Sequence, residues 1–470
     1  MRVALLLAGA VALAMAARPR RRSSGSRFAT LAELRPLRGR AGDPARLPLG
    51  TVAVGGWRRL PVALSTPPGD SLLVLGPTGS GKSTSLLVPA LLSWEGPVVV
   101  ASVKDDLLRA TRRWRASAGP VEVLAPAGDG TVRYDPVALA SSWPAAVRVA
   151  SGLALASAAG PATGEMAFWS QMAAKLLAGL LLAAHRAGGD VALVATWLEQ
   201  RAVSEPLGWL DDPADATAQR SLAASLGREE RQLGSVLATA ETVVDPLLGD
   251  APPTALDPEE LLATGGTLYL CAPAHDQRRY AALFAAATDE VLRAAFARAG
   301  REGGRLGSPL LVVLDEAAAI APLAELDVLA ATCAGQGITL VTCFQDLAQV
   351  RARWGERTGT LVNNHRTRVV LGGMADPSAA ELVVGLGGTR REWGAGEGVV
   401  EVERPLVAAH ELRQLPARSG LVLSGAVPMA RIHLRPWWQH RGLASRGSGT
   451  SGDRQPGRLG GRVRHGSVAG

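Results

Sequence analysis

The sequence predicts an α/β protein with an open, mostly parallel sheet that is interrupted by an all-helical segment. The apolar run Leu72–Leu75 is typical of a buried strand, and a glycine-rich turn and the amphipathic run Leu86–Trp94 follow it. Short apolar runs then alternate with helical patterns as far as Leu124, and again from Thr267 onwards. Between residues 141 and 250 the strand pattern disappears and only helical spacing remains. Alternation of strands and helices favours a parallel sheet, and the interruption favours an inserted helical domain.

The N-terminus begins with the apolar run Val3–Ala17, and a cluster of arginines from Arg18 to Arg22 follows directly. We interpret residues 1–22 as a short membrane anchor, although a spanning helix normally has about 20 apolar residues. The basic cluster would keep the rest of the chain on the cytoplasmic side of the cytoplasmic membrane. A signal peptide cleaved near Ala14-Met-Ala16, or neither kind of segment, remains an alternative. Residues 23–50 read as a linker with a short helical hint at Leu31–Leu37.

The rest of the chain divides into a first α/β part (residues 51–140), an all-α insertion (141–255), a second α/β part (256–438) and a disordered basic tail (439–470). The predicted strands are Leu72–Leu75, Val98–Ser102, Val121–Leu124, Thr267–Cys271, Leu310–Leu314, Ile338–Cys343, Val369–Leu371, Leu421–Ser424 and Ala430–Leu434, with a hairpin over Trp393–Val407. The predicted helices after Trp94 include Leu107–Trp114, Gln219–Val244, Arg279–Arg298 and Asp376–Leu386.

The glycine-rich turn has the pattern of a phosphate-binding loop in the context that such a loop needs, between a strand and a helix. It reads Gly76, Pro77, Thr78, Gly79, Ser80, Gly81, Lys82, Ser83, Thr84. The glycines let successive N–H groups curl around a polyphosphate, and the helix N-terminus adds partial positive charge. Lys82 is expected to reach the β- and γ-phosphates, and the Ser83 hydroxyl is expected to ligate Mg²⁺. An ordinary glycine-rich turn is the alternative.

Polar residues follow two other predicted strands and complete a hydrolytic site. Asp315 and Glu316 end the most apolar run, and Gln345 ends the next strand. Phosphoryl transfer to water needs a held Mg²⁺ and a base that orients the water. Asp315 suits the metal and Glu316 suits the base, while Gln345 would contact the γ-phosphate or the attacking water. Lys104 and Asp105, at the end of another strand, are weaker candidates for the same edge. The sequence therefore predicts an ATPase with ATP and Mg²⁺ as ligands.

The distribution of charge limits how this protein can bind nucleic acid. The formal net charge is +8, but residues 1–46 carry +8 and residues 440–470 carry +5, so the body between them carries −5. Any nucleic-acid site in the body must therefore be a local patch or the lining of a ring. The three cysteines, Cys271, Cys333 and Cys343, lack metal-ligand spacing and read as buried thiols in a reducing compartment.

Six segments together resemble the TraG/TraD-type coupling ATPases of type IV secretion and conjugation, over about residues 50–438. They are Gly76–Thr84, Ser102–Leu107, Leu310–Pro322, Gly337–Gln349, Glu411–Pro416 and Leu434–Trp438. The resemblance implies a membrane-anchored, homo-hexameric ATPase with a RecA-like motor domain and an all-α domain at its cytosolic mouth. Such a protein would deliver a DNA–relaxase complex, with the DNA single-stranded, or protein substrates to the components of a secretion channel.

Two features depart from that family. Its members commonly have a longer N-terminal membrane region, often with two spans. They also often carry an arginine just before the strand that bears the glutamine, which reaches into the neighbouring subunit's site. This chain has Cys333–Gly337 there, without Arg or Lys anywhere from Leu306 to Val350. Arg366 and Arg368 are the candidates for an arginine that acts in trans, since such a residue must only reach the developing charge.

Two other functions remain open at this stage. An FtsK-like translocase on double-stranded DNA would share the motor core, although the usual winged-helix reader is not recognisable in the C-terminal sequence. A coupling ATPase that recruits only protein effectors would suit the acidic body. An ABC-type transporter ATPase is disfavoured because the sequence contains no Leu-Ser-Gly-Gly-Gln signature.

Overall fold

A computed structural model describes residues 26–39, 45–54, 60–102, 104–126, 128–157, 165–249, 252–273, 275–394 and 400–447. The predicted anchor, residues 1–22, lies outside the described residues, as do residues 448–470 of the predicted tail.

The described residues contain one large sheet of eleven strands and a separate two-stranded hairpin. The strands are β1 Pro48–Val54, β2 Leu60–Ser65, β3 Leu72–Leu75, β4 Val98–Ser102, β5 Val121–Leu124, β6 Thr267–Cys271, β7 Leu310–Leu314, β8 Ile338–Phe344, β9 Thr367–Leu371, β10 Thr389–Gly394, β11 Val400–Pro405, β12 Ser419–Ser424 and β13 Val427–His433. The order in the large sheet is β2-β1-β13-β12-β9-β3-β8-β7-β4-β6-β5. From β9 to β5 every pairing is parallel, which confirms the predicted α/β class.

The central parallel strands are buried along their whole length. Every residue of β3, β4, β7 and β8 is buried, because helices cover both faces of the sheet. One apolar cluster lies on each face, and alternate residues of a strand join opposite clusters: Leu73 belongs to one and Val74 to the other. These strands are uninterrupted apolar runs in the sequence, and their predicted bounds are confirmed to within one residue.

The segment between β5 and β6 is helical, as predicted. Its helices are Pro136–Leu139, Trp143–Ser157, Glu165–Arg186, Val191–Glu199, Ser204–Gly208, Ala216–Leu226, Glu230–Val244 and Pro258–Ala263. The predicted helical segment Gln219–Val244 contains two helices, because the chain leaves the first at Gly227 and the second begins at Glu230. Among the described residues, only Glu165–Arg186 is long and apolar enough to cross a membrane, and most of it is buried inside this helical segment.

The remaining helices lie outside this helical segment in the sequence. They are the π-helical turn Ser83–Leu87 with Val88–Ser93, then Asp106–Ala118, Gln277–Arg301, Ala317–Ile320, Leu326–Thr332, Leu347–Trp354, Thr358–Asn364, Pro377–Gly387, Ala409–Arg413 and Arg441–Ala444. The predicted helices Leu107–Trp114, Arg279–Arg298 and Asp376–Leu386 are therefore present, with small changes at their ends. The helical hint at Leu31–Leu37 is a single 3-10 turn at Arg35–Leu37.

Two strands were missed at the N-terminal side of the sheet. β1 and β2 form an antiparallel pair, and β1 joins the sheet through β13, with Thr51 opposite His433. β1 contains a proline and a glycine, which are poor strand formers, and its partner is distant in the sequence. The hairpin β10–β11 begins at Thr389 rather than at the predicted Trp393.

The predicted tail begins with ordered residues, so its boundary at 439 needs correction. The helix Arg441–Ala444 packs near the first helix of the α/β part, and Arg446 follows it. The Arg446 guanidinium donates to the carbonyl of Leu92 at 3.0 Å and stacks on the Trp114 ring at 4.2 Å. A cation held by a carbonyl and an aromatic face anchors this segment, which composition alone does not reveal.

A fully buried arginine ties the first helix pair to the sheet. Arg115 donates from Nη1 to the Trp94 carbonyl at 2.5 Å, from Nη2 to the Gly96 carbonyl at 2.7 Å, and from Nε to the Thr267 hydroxyl at 2.8 Å. Burial lowers the pKa of Arg115, and these three acceptors stabilise the cation.

We expect Arg115→Ala to lower the free energy of unfolding by about 3 kcal/mol, because buried acceptors lose their donor and a cavity forms. Urea unfolding followed by tryptophan fluorescence measures the loss. The matched control is the exposed Arg113 on the same helix, whose change to alanine should stay within about 0.5 kcal/mol. Equal midpoints for the two variants would contradict this assignment.

Candidate active site

The loop after β3 has the backbone geometry that its glycines predict. Gly79 and Gly81 have φ angles of 81° and 97°, a region that favours glycine. A Cβ at Gly76 would lie 2.8 Å from the Ser80 hydroxyl and 3.0 Å from Leu371, so the loop's first position also needs a residue without a side chain. The loop therefore curls tightly at the carboxyl end of β3, with backbone N–H groups available around its concave side.

Lys82 lies inside this loop. Its side chain is buried, and its ammonium donates to the carbonyls of Gly76 at 2.5 Å and Pro77 at 3.3 Å. Among the described residues no carboxylate forms an ion pair with it. A buried cation at the centre of a loop of N–H groups is the charge arrangement that a polyphosphate needs.

Asp315 connects the loop with the ends of strands β7 and β4. It ends β7, is 7% exposed, and its Oδ2 accepts weakly from Ser83 at 3.4 Å and from Ser102, at the end of β4, at 3.5 Å. Burial raises the pKa of Asp315 to about 6, and the nearby Lys82 cation opposes that rise. The predicted pair for Mg²⁺, Ser83 and Asp315, therefore lies at one place.

The donor set fits Mg²⁺ rather than a metal held only by protein ligands. Among the described residues, no group of three His, Cys, Asp or Glu side chains could hold a metal ion. Mg²⁺ typically takes one or two protein oxygens together with water and phosphate oxygens. One hydroxyl and one carboxylate, beside a loop shaped for phosphates, match that pattern.

Glu316 and Gln345 are joined directly. Gln345 Nε2 donates to Glu316 Oε1 at 2.9 Å, so the ends of β7 and β8 present a carboxylate and an amide side by side. Glu316 has φ 61° and ψ 53°, a left-handed conformation that is rare for a residue with a side chain. Strained backbone of this kind is often found at active sites, because the surrounding structure holds a functional side chain in place.

The two predicted trans arginines lie away from this chain's own loop. Both are near the amino end of β9, where Arg368 pairs with Leu73, whereas the loop leaves the carboxyl end of β3. Arg368 donates to the carbonyls of Val362 at 2.8 Å and Asn363 at 3.0 Å, so its donors are partly occupied. Arg366 is 72% exposed and lies 3.9 Å from Asp70. Their role in a neighbouring site stays a prediction, and Arg366 has the freer side chain.

At the end of β4, Ser102 rather than the predicted Lys104 or Asp105 contacts the site. Asp105 pairs with Arg109 on the following helix and Lys104 is exposed, and neither side chain forms a hydrogen bond or ion pair with the described residues of the loop. Ser102 contacts Asp315 instead, and the negative charge of Asp106 adds to the rise in the Asp315 pKa. A small polar residue that ends a buried strand was the available signal for Ser102.

Comparison with known proteins places the fold. Solved structures of the "bacterial conjugative coupling protein TrwBdeltaN70" match the chain. The unbound form has a TM-score of 0.69 at 20% identity, covering 87% of this chain and 92% of that one. TrwB bound to the non-hydrolysable ATP analogue ADPNP has a TM-score of 0.67 at 21% identity, and the match covers 87% of this chain and 94% of that one. TrwB with ADP and Mg²⁺ has a TM-score of 0.66 at 20% identity, and the match covers 88% of this chain and 94% of that one. The predicted P-loop fold with a RecA-like core is confirmed.

The amino-acid sequence is similar to two family models and to two curated proteins. A model described as "TraM recognition site of TraD and TraG" matches residues 309–417, and one described as "Type IV secretory system Conjugative DNA transfer" matches residues 41–205. Two Escherichia coli proteins, each named "Conjugal transfer protein TraG", are 26% and 24% identical over 319 and 325 residues, 60% of this chain. The chain spans about half the length of these curated relatives, since the matches cover 49% of each. The two family models match separate parts of the chain, and the predicted resemblance to the TraG/TraD-type coupling proteins is confirmed.

Proposed function

We propose that this protein is an ATP-hydrolysing coupling protein that delivers DNA bound to a relaxase to a type IV secretion channel. The observation that carries the proposal is the meeting of Lys82, Asp315, Glu316 and Gln345 at one edge of the sheet, in a chain that resembles the TraG/TraD-type coupling proteins. The TrwB structures with an ATP analogue and with ADP and Mg²⁺ support ATP and Mg²⁺ as its ligands.

Each residue has a defined task in hydrolysis. Lys82 and the loop N–H groups offset the negative charge of the phosphates, and Ser83 and Asp315 would hold Mg²⁺, which would neutralise further negative charge on the phosphates. Glu316 accepts a proton from the water that attacks the γ-phosphorus. Since Oε1 of Glu316 is held by Gln345, the other oxygen, Oε2, is the one positioned to accept it. The bond from the γ-phosphorus to the bridging oxygen breaks, which leaves ADP and phosphate.

Gln345 would couple ATP hydrolysis to a movement of the helix that follows it. Its side chain touches Glu316, and its own backbone leads into the helix Leu347–Trp354. A change at the γ-phosphate that shifts Glu316 would therefore also shift Gln345 and the start of that helix. We propose that this contact reports hydrolysis to the rest of the domain, as in other phosphate-sensing elements.

The assembly and location belong to the same proposal. The relatives are conjugal transfer proteins and the chain matches a DNA-transfer family model, which supports DNA and the conjugation machinery as partners. We propose a homo-hexamer at the cytoplasmic membrane with the ATPase part in the cytoplasm. Because the body between residues 47 and 439 carries net −5, DNA contacts would line a ring rather than a broad basic face.

Affinity purification of membrane complexes tests the delivered substrate. The tagged full chain, cross-linked in its native host, should recover a relaxase and its bound DNA, and an untagged strain provides the control. Recovery of secreted proteins without a relaxase would replace the proposal with the effector-recruiting alternative, which the acidic body favours.

The form of the DNA needs its own comparison. We expect single-stranded DNA to bind more tightly than duplex of the same length, and both affinities to fall with salt. Fluorescence anisotropy with labelled oligonucleotides measures this. A clear preference for duplex would favour the FtsK-like translocase instead.

A further inference from the structure

Arg418 lies beside the phosphate-binding loop of its own chain. It directly precedes β12, which runs antiparallel to β9 with Gly420 opposite Leu371. β9 runs parallel to β3 with Val370 opposite Leu75, the last residue before the loop. The amino end of β12 therefore reaches the edge of the sheet where the loop begins.

The side chain of Arg418 extends over the second half of that loop. A Cβ built on Gly81 would lie 3.9 Å from Cγ of Arg418, which is ordinary van der Waals contact. Arg418 is half-buried, and an arginine whose aliphatic stem packs against the protein commonly keeps its guanidinium at the surface. This places a cation next to the residues whose N–H groups bind phosphate in such loops.

The backbone of Arg418 is held in an unusual conformation. Its φ is 59°, in the left-handed region that arginine rarely adopts. Its carbonyl accepts from the Leu434 amide at 2.8 Å, and Ser419 N–H donates to the Pro416 carbonyl at 3.1 Å, so neighbouring backbone fixes the turn. A glycine would adopt this conformation more easily, which indicates that the side chain has a role.

The guanidinium of Arg418 has no protein partner in the described part of the chain. No hydrogen bond or ion pair involves its side chain, whereas Arg366 lies near Asp70 and Arg368 donates to two carbonyls. A half-buried guanidinium beside a phosphate-binding loop has donors available for an anionic ligand. Its planar fork matches phosphate oxygens in a bidentate manner.

We propose that Arg418 binds the α- and β-phosphates of the nucleotide held by the loop of the same subunit. This inference rests on the proposed function, because it assumes that the loop holds a nucleotide. It assigns a role different from that of the trans arginines Arg366 and Arg368, which would act on the charge that develops at the γ-phosphate. Arg418 contacts phosphates that ADP and ATP share, so its loss weakens both to the same extent.

Calorimetric titration of the purified full chain with Mg²⁺ and either ADP or a non-hydrolysable ATP analogue tests the proposal. We expect Arg418→Ala to raise both dissociation constants about 10- to 100-fold, the loss typical of a charge-assisted hydrogen bond. Arg418→Lys should recover part of the affinity because it keeps the charge. The exposed Arg413, five residues earlier, is the matched control, and Arg413→Ala should bind both nucleotides as the wild type does.

Arg418→Gly separates binding from folding. Glycine relaxes the left-handed backbone, so this variant should melt at the same temperature as the wild type or higher without nucleotide, and still bind both nucleotides weakly. Affinities within two-fold of the wild type in both the alanine and glycine variants would overturn the inference. So would a selective loss of the ATP analogue, or a loss of DNA binding with nucleotide affinity unchanged. If the wild type itself binds neither nucleotide, the proposed function fails, and the inference fails with it.

Discussion

Replacing Glu316 by glutamine is expected to lower the turnover number for ATP hydrolysis by about 10²–10⁴-fold while ATP still binds, because a general base contributes about that much. Glutamine has the same shape and keeps an oxygen that can accept from Gln345 Nε2, which lies 2.9 Å from Glu316 Oε1. The amide has no basic oxygen for the proton of the attacking water. The dissociation constant for ATP should change little, since a general base acts on the water that attacks the γ-phosphate and not on the α- and β-phosphates.

Phosphate release under saturating ATP measures the loss, and a titration with nucleotide measures binding. The matched control is Glu325→Gln, which removes an exposed carboxylate at the start of the helix Leu326–Thr332 and should hydrolyse ATP at the wild-type rate. Turnover within a few-fold of the wild type in Glu316→Gln would show that another group acts as the base. Weak ATP binding in that variant would instead place Glu316 in the binding of the nucleotide.

Lys82→Ala has the second large expected effect, because it removes a cation buried inside the loop. The loss of one preorganised electrostatic contact to the transition state lowers turnover by about 10²–10³-fold. Here the affinity for both ADP and ATP should fall as well, since the β-phosphate that Lys82 is expected to reach is present in both nucleotides. The chain has only three lysines, and Lys175→Ala, on the exposed face of the helix Glu165–Arg186, is the matched control.

Nucleotide binding and phosphate release, measured side by side, check this second prediction. The Lys175 variant should match the wild type in both measurements. A Lys82→Ala protein that binds and hydrolyses ATP normally would mean that the loop Gly76–Thr84 is not the nucleotide site. Loss of turnover with full affinity for ADP would restrict Lys82 to the γ-phosphate.

The centre of the fold and most of the site could be predicted from the sequence. Strands β3, β4, β7 and β8 are buried on both faces, so each is a continuous apolar run with a clear beginning and end. Their carboxyl ends meet at one edge, and for that reason Ser83, Asp315, Glu316 and Gln345 come together as predicted.

The features that were missed depend on pairings between distant segments. β1 joins the sheet only through β13, where Thr51 lies opposite His433, and the local strand pattern of β1 is weak because it contains a proline and a glycine. Arg418 reaches the loop because β12 is antiparallel to β9, and a sequence pattern does not give that register. The contact of Arg446 with the Trp114 ring was missed for the same reason. Arg446 lies in the predicted disordered tail, whereas Trp114 lies in a predicted helix far away in the sequence. The break at Gly227 lay inside a helical pattern that continued on both sides.

Steady-state ATP hydrolysis by the purified full chain, with single-stranded DNA titrated in, measures whether this protein is a DNA-dependent ATPase. We expect the rate to rise several-fold with DNA and to lose this rise at high salt, as the DNA dissociates. In Glu316→Gln we expect hydrolysis to disappear at every DNA concentration. A wild-type protein that hydrolyses no ATP, or one whose rate is the same with and without DNA, would contradict the proposed function.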